Sequence, residues 1–358
     1  MILTACVDYD DPLVAELIRS SLERLIPDVE YVSASTAALQ WSAYEEIAFE
    51  TILKNPQSLC NSYIFRKALI RKHFLATTIQ QWLVKHPESS LQNASPPTHL
   101  LECDYAEYLD EALNEAYELE RDLDKGKWFI LKPSMSDRGQ GIRLFSTREE
   151  LESVFEEFEE DEAMAQLRHF VVQEYIHPPL LINERKFHIR TYVVAFGAIK
   201  VWVWKEMLAL FAGEKYTKPG VNADRQTHFT NTCLQDNKEC VMRFWDLPIS
   251  TEDIFKRICE ITGEVFKAAA SGQQMHFQTI PNAFEIFGVD FMLDENNDVY
   301  LLEINSYPDF KQTGEELTNR VVGALFDAVT KTVICPFFNI PGEGQGLINV
   351  LDIELRGW

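Results

Sequence analysis

The sequence predicts a mixed α/β (α+β) chain, with a small parallel unit followed by hairpin-built sheet, and three stretches carry that expectation. Ile2–Tyr9, Pro12–Leu25 and Val29–Ser33 read in turn as strand, amphipathic helix and strand, and a β-α-β start calls for a parallel sheet. RKFHIRTYVV (Arg185 to Val194) alternates in side-chain type, turns at Phe196-Gly197-Ala198 and returns as Lys200–Lys205. FEIFGVDFMLDENNDVYLLEIN (Phe284 to Asn305) sets two alternating apolar runs around Glu295-Asn296-Asn297-Asp298, a hairpin signal.

Length and composition set the outer limits. With 358 residues two or three domains are expected, and a hydrophobic fraction of 46% is ample for a core. Lys and Arg number 33 against 56 Asp and Glu, a formal charge of −23. That balance argues against nucleic acid or anionic membrane as main partner, because phosphate contacts need a basic face, but it leaves room for a local basic cleft. Seven cysteines lie scattered without a CxxC pair and read as reduced thiols of a cytosolic protein. MILTACVDYDDP has no basic leader, so no signal peptide is expected, and no apolar run reaches the ~18 residues of a membrane span.

Helical periodicity marks Trp41–Leu53, a long Arg66–His86, an acidic Tyr105–Leu123, Glu149–Glu162, Glu252–Ala270 and a closing Glu315–Lys331. Glu149–Glu162 buries one stripe (Leu151, Val154, Phe155, Phe158) and leaves its charges solvated. Arg66, Lys67, Arg71 and Lys72 form a basic cluster that reads as a solvated face unless an anion lies nearby. Pro87–Thr98 reads as a loop, and Pro336–Trp358 carries no pattern that places it.

Several of these stretches carry chemistry. With the hairpin turn centred between Asn296 and Asn297, Asp290 faces Glu303 and Gly288 faces Asn305 on one side of the sheet. Two carboxylates ~4–5 Å apart at an effective dielectric of ~20 repel by roughly 3–4 kcal/mol. A sheet that holds a divalent cation uses such a pair, and the hard oxygens of Asp290, Glu303 and Asn305 suit Mg²⁺. The metal-free protein is then expected to melt higher as Glu303→Gln. In KPSMSDRGQGIRLF, Lys132 adds a fixed charge while Gly139 and Gly141 let backbone approach a phosphate. On its own this pattern fits an ordinary tight turn better than a phosphate loop. VVQEYI (Val171 to Ile176) ends at His177-Pro178-Pro179, leaving backbone groups able to read a base edge or simply to cross between domains. Alternation puts Lys186, His188 and Arg190 on one face of their strand, where they need anions. Phe211–Gln226 lacks periodicity and reads as a lid or binding loop, and HFTNTCLQ (His228 to Gln235) offers groups that orient a phosphate.

Lysine before a glycine loop, QEYI, RKFxIR and then DFMLDEN…LLEIN, in this order, resembles the tubulin-tyrosine-ligase-like branch of the ATP-grasp ligases over Asn61–Lys331. EINSYPDFKQTG is most similar to the fungal processing-body-associated branch of that family, in which such a domain follows a separate phosphatase-like one, so the chain is expected to be a fragment. The resemblance implies an ATP-grasp fold: an N-terminal α/β domain (1–62), a central domain (63–179) and a C-terminal domain (180–358), with ATP between the last two antiparallel sheets. It implies ATP and Mg²⁺ as cofactors. It also implies that Lys132 contacts the α-phosphate and that Gly139 and Gly141 cover the phosphates. Gln173, Tyr175 and Ile176 would line the adenine, and Lys186 and position 188 would sit near the nucleotide. Arg190 would lie near the γ-phosphate and acyl group, Thr230 and Asn231 beside the phosphates, and Asp290, Glu303 and Asn305 on the metal. Lys72, with Lys67 as competing register, matches a phosphate-contacting lysine.

Two positions depart from the family pattern. His188 stands where RKFDIR has Asp, which unsettles the ribose contacts. Leu210 stands where an arginine for the acceptor carboxylate is expected, which argues against tubulin tails. The implied activity is an ATP- and Mg²⁺-dependent carboxylate–amine ligase working through an acyl phosphate, with carboxylate acceptor and amine unknown. The alternative is a nucleotide-binding adaptor beside mRNA-decapping proteins in cytoplasmic processing bodies. A small-molecule kinase is a third reading.

Overall fold

The computed structural model describes residues 2–134, 139–220, 225–228, 230, 240–310 and 317–353, with three sheets among them. β1 (Leu3–Cys6), β2 (Val29–Tyr31), β3 (Leu39–Gln40) and β4 (Leu59–Cys60) form a parallel sheet in the order β2-β1-β3-β4. Helix α1 (Pro12–Leu25) crosses between the first two strands. Asp11 caps it by accepting the Leu13 N–H at 3.1 Å, Pro12 opens its first turn, and Val14, Ile18 and Leu22 point inward.

The second sheet is antiparallel. β5 (Thr98–Glu102), β6 (Phe129–Pro133), β7 (Arg143–Phe145) and β8 (His169–Glu174) run in the order β5-β8-β6-β7. Thr147 and Glu150 close a capping box at the start of the helix Arg148–Glu160, whose stripe Leu151, Val154, Phe155 and Phe158 packs on Phe129, Phe145 and Phe170.

The third sheet has eight strands, all antiparallel: β9 (Leu181–Ile182), β10 (Arg185–Phe196), β11 (Lys200–Trp204), β12 (Leu208–Phe211), β13 (Val241–Arg243), β14 (Phe284–Leu293), β15 (Val299–Asn305) and β16 (Leu347–Asp352). One face is core throughout: Phe187, Ile189, Phe287, Val289 and Phe291 pack with Ile254, Ile258, Ile261 and Val265 of the long helix Thr251–Gly272. The other face is divided. Tyr192, Val194 and Phe284 pack with α1 and the closing helix, while His188, Arg190 and Asp290 are left for a cleft. The tail that sequence pattern did not place supplies β16, which pairs with β11. Gly263 lets it approach, because a Cβ there would stand 2.6 Å from the Val350 carbonyl oxygen.

Several predicted helices are interrupted. The long Arg66–His86 helix breaks at Arg71 (φ −104°, ψ 122°) into α2 (Lys67–Ile70) and α3 (Lys72–Lys85). The strand-like strap ahead of it is the cause: Ala68 N–H bonds the His276 carbonyl at 3.0 Å, and Gln278 N–H bonds that of Phe65 at 2.9 Å. Tyr105–Leu123 splits at Ala116, and Trp41–Leu53 yields only Tyr44–Glu46 and Phe49–Lys54, because Trp41 is buried edge-on against Phe284 and Phe326. The closing helix runs on to Cys335–Phe337 with π-type turns at Thr318–Gly323 and Thr330–Ile334.

The hairpin reaches its expected register by an unexpected route. Leu293 faces Val299 and the Asp294 N–H donates to the Asp298 carbonyl at 3.2 Å, which leaves a three-residue loop between that bonded pair, with Asn297 left-handed (φ 67°) and Asp294 Oδ1 accepting the Asn296 and Asp298 N–H groups at 2.9 Å each. That turn alone would set Glu303 opposite Val289, on the core side. A bulge at Leu302 restores the phase, and Asp290 faces Glu303 while Gly288 faces Asn305.

Candidate active site

A cleft of about 1120 Å³ lies between the two antiparallel sheets and reaches the N-terminal sheet. β6 and β8 bring Lys132 and Gln173 to one wall; β10 brings Lys186, His188 and Arg190 to the other, with Asp290, Glu303 and Asn305 beside them. Lys72, Gly139, Tyr175, Ile176 and Thr230 complete the expected set. Gly141 does not line the cleft: it is left-handed (φ +70°), and a Cβ there would stand 2.7 Å from Pro133 Cγ, so its role is packing. Asn231 lies outside the described residues, as does HFTNTCLQ beyond Thr230. Of the two competing lysines it is Lys72 whose Nζ reaches Glu303, at 3.9 Å.

Lys132 and Lys186 are enclosed with neutral hydrogen-bond partners. Lys132 Nζ donates to Gln173 Oε1 at 2.8 Å, and burial pushes its ammonium down to about 8. Lys186 Nζ donates to Tyr175 Oη at 2.9 Å; burial, then the Lys132 charge, pushes it down to about 7. Tyr175 Oη lies 2.9 Å from His228 Nδ1, so the phenol bridges ammonium and imidazole. Burial also lowers His188, whose Nδ1 bonds Thr230 Oγ1 and whose Nε2 lies 3.8 Å from Asp290 Oδ1.

The carboxylates do not repel as expected. Arg190 grips Asp290 with both prongs, Nε to Oδ1 at 2.5 Å and Nη2 to Oδ2 at 3.0 Å. Glu303 accepts from Asn305 Nδ2 at 3.2 Å. Burial raises its carboxyl, but Lys72 and Lys132, with the Asn305 bond and Arg190, outweigh burial and hold it at about 2. The surrounding cations favour a charged Glu303, so the expectation for Glu303→Gln reverses to a lower melting point: strand pairing was counted, and the cations that neutralise the pair were not.

The donor set fits a hard cation in part. Glu303, its carboxyl held low by the neighbouring cations, keeps 33% side-chain exposure, and the Asn305 amide lies beside it. Both Asp290 oxygens are engaged by Arg190, so Asp290 is the least available of the three. Among the described residues no three His, Cys, Asp or Glu side chains converge as a metal cluster. Mg²⁺ needs only one or two carboxylates when phosphates supply the rest.

Sequence reasoning missed the far end of the cleft. Arg66 Nε lies 2.8 Å from Glu285 Oε1, Tyr63 N–H donates to the same carboxylate at 3.1 Å, and burial pushes that carboxyl up to about 8. The Arg66 guanidinium also sits 3.9 Å over the Tyr44 ring, and Tyr9 stacks on Tyr307 at 5.7 Å. Glu285 left a readable signal, an acid embedded in the same FEIFGVD run. Leu210 pairs with His188 across the strands and is fully buried.

Residues 50–341 match the Tubulin-tyrosine ligase family. The chain is similar to a probable tubulin–tyrosine ligase of Schizosaccharomyces pombe, 47% identical over 93% of this chain and 91% of that protein. It is also similar to the probable tubulin–tyrosine ligase PBY1 of Saccharomyces cerevisiae, 38% identical over 97% of this chain but only 55% of the relative. Among solved structures it is similar to the C-terminal domain of K. lactis Pby1, described as an ATP-grasp enzyme interacting with the mRNA decapping enzyme Dcp2. That match has a TM-score of 0.79 and 37% identity, covering 99% of this chain and all of that one. No helix among the described residues is long and apolar enough to cross a membrane. The chain therefore belongs to the tubulin–tyrosine ligase family and has the ATP-grasp fold.

Proposed function

We propose that this protein is an ATP- and Mg²⁺-dependent carboxylate–amine ligase whose acceptor is not tubulin. One observation carries the reading: Lys132, Lys186, Lys72 and Arg190 converge on one cleft of a chain whose net charge is −23, and among the described residues two of those lysines are enclosed without a carboxylate hydrogen-bond partner. Buried cations in such a chain call for an anion of several charges, and a triphosphate supplies it.

The chemistry follows from the placement. An acceptor carboxylate oxygen attacks the γ-phosphorus, the bond to the β,γ-bridging oxygen breaks, and ADP departs. The amine then attacks the acyl carbon, phosphate leaves with the C–O electron pair, and the ammonium proton passes to solvent. Lys132 and Lys186 hold the phosphate chain, and Arg190 faces the transferring group. Glu303 and Asn305 would hold Mg²⁺, which supplies charge neutralisation at the β- and γ-oxygens.

The domain limits 1–62, 63–179 and 180–358 are part of the same proposal. A second reading, a nucleotide-binding adaptor beside decapping proteins in cytoplasmic processing bodies, is favoured by buried Leu210, which leaves a terminal carboxylate without its cation. Single-turnover ATP cleavage with and without carboxylate acceptors separates the two: the ligase cleaves faster with acceptor, the adaptor never does. Equal ATP affinity of wild type and Lys132→Ala would defeat both. Tyrosine incorporation into detyrosinated tubulin above a Glu303→Gln control would overturn the exclusion of tubulin.

A further inference from the structure

The mouth of the cleft carries a cationic cluster that the nucleotide reading does not use. Lys67 opens α2 and Arg71 is the residue just past its end, joined to it by the Arg71 N–H to Lys67 carbonyl bond of 3.1 Å. Both line the cleft. Among the described residues neither has a carboxylate within ion-pair distance, in a chain with 56 acidic against 33 basic residues. Like charges at this spacing oppose each other, and an anion held between them reverses the sign.

Imidazoles adjoin the pair. His73 and His276 lie on Phe74 with ring centroids 4.0 and 4.2 Å away, and the enclosed Nδ1 of His73 has no hydrogen-bond partner. Burial lowers His73, and His169, Arg71, His276 and Lys67 lower it further, so the neighbours it senses are all cations or imidazoles. A planar monoanionic carboxylate is satisfied by one arginine fork. Two cations lining one stretch of the cleft without a carboxylate between them suit a dianion concentrated on a tetrahedral centre.

We propose that Lys67 and Arg71 form a subsite for a phosphate-monoester group carried by the second substrate, separate from the phosphates of the nucleotide. The proposal rests on the ligase reading, and it supplies what Leu210 withholds: the charge that anchors the second substrate comes from α2 instead of β12.

The test is calorimetric titration of the protein saturated with Mg²⁺ and the non-hydrolysable β,γ-imido analogue of ATP. O-phosphoserine, inorganic phosphate and succinate are the probes. Phosphoserine is expected to bind roughly tenfold tighter than succinate, and a Lys67→Gln/Arg71→Gln variant to lose roughly tenfold in phosphoserine affinity while holding the analogue as before. Phosphoserine binding that the analogue blocks would mean that the pair holds the γ-phosphate, and the proposal falls. It falls equally if succinate matches phosphoserine, if the double variant binds phosphoserine unchanged, or if inorganic phosphate alone binds, which would make this a resting place for released phosphate. Should wild type fail to bind the analogue, the nucleotide reading fails by itself, and phosphoserine titration of the free protein and the double variant still decides the subsite.

Discussion

Nucleotide binding should take up protons, and the two enclosed lysines set how many. Burial holds Lys132 down to about 8 and Lys186 to about 7, each with a neutral hydrogen-bond partner. At pH 8 the first is about half neutral and the second about nine-tenths neutral; at pH 7 the fractions are about one-tenth and one-half. Phosphates within reach favour the charged form of both, so about 1.4 protons enter with each nucleotide at pH 8 and about 0.6 at pH 7. By linkage, affinity falls about tenfold between pH 7 and pH 8. Calorimetric titrations in two buffers of different ionisation enthalpy read the proton count directly as the slope of observed heat against buffer heat. Lys186→Met should remove about 0.9 proton at pH 8 and leave about 0.5. A slope of zero at pH 8, or one that Lys186→Met leaves unchanged while the nucleotide still binds, would refute the reasoning.

Three further outcomes follow from the same geometry. Lys186→Met should raise the melting point of the nucleotide-free protein, because the wild-type ammonium is disfavoured on folding by an order of 2–4 kcal/mol; thermal melts at pH 7 read the sign. Glu303→Gln should lower the nucleotide-free melting point, since its carboxylate is held at about 2 by Lys72 and Lys132 against burial. That contribution is complete above an unfolded value of ~4.3 and is lost as pH falls through the folded one, so the difference between the two proteins should shrink towards pH 2. Gly288→Ala should destabilise by roughly 1–3 kcal/mol, since its Cβ would meet Pro308 Cβ at 2.7 Å; denaturant midpoints check it, and an unchanged midpoint would mean that the Ser306–Phe310 segment yields freely.

What was legible in the sequence was whatever a period of two determines. Alternation along RKFHIR put Lys186, His188 and Arg190 on one face, and they share the cleft. The Asp290–Glu303 pairing was also reached, though through an even-membered turn, where the chain uses a three-residue loop and a bulge at Leu302. Two one-residue errors cancelled: the face was read correctly and the local geometry was not. The break at Arg71 was not legible, because helical periodicity continues through it and the strap that claims Phe65–Ala68 pairs with residues more than 200 positions away in the chain.

The same distinction explains why the strand-built end of the cleft could be read and its far end could not. The first is built from β6, β8, β10, β14 and β15, where side-chain direction follows from position along a strand. The second is built from connecting segments: Tyr9 after β1, Ser62–Arg66 after β4, and Ser306–Phe310 after β15. Their directions are set by distant contacts, such as Arg66 on Glu285 and Tyr9 on Tyr307, with no periodic signal to announce them. Glu285 shows the consequence. It sits in the most readable stretch of the chain, yet its alternation phase puts it on the side of Phe287 and Val289, opposite to Asp290. Strand logic alone therefore consigns it to the core. Arg66, arriving from a connecting segment, makes that buried carboxylate part of the cleft.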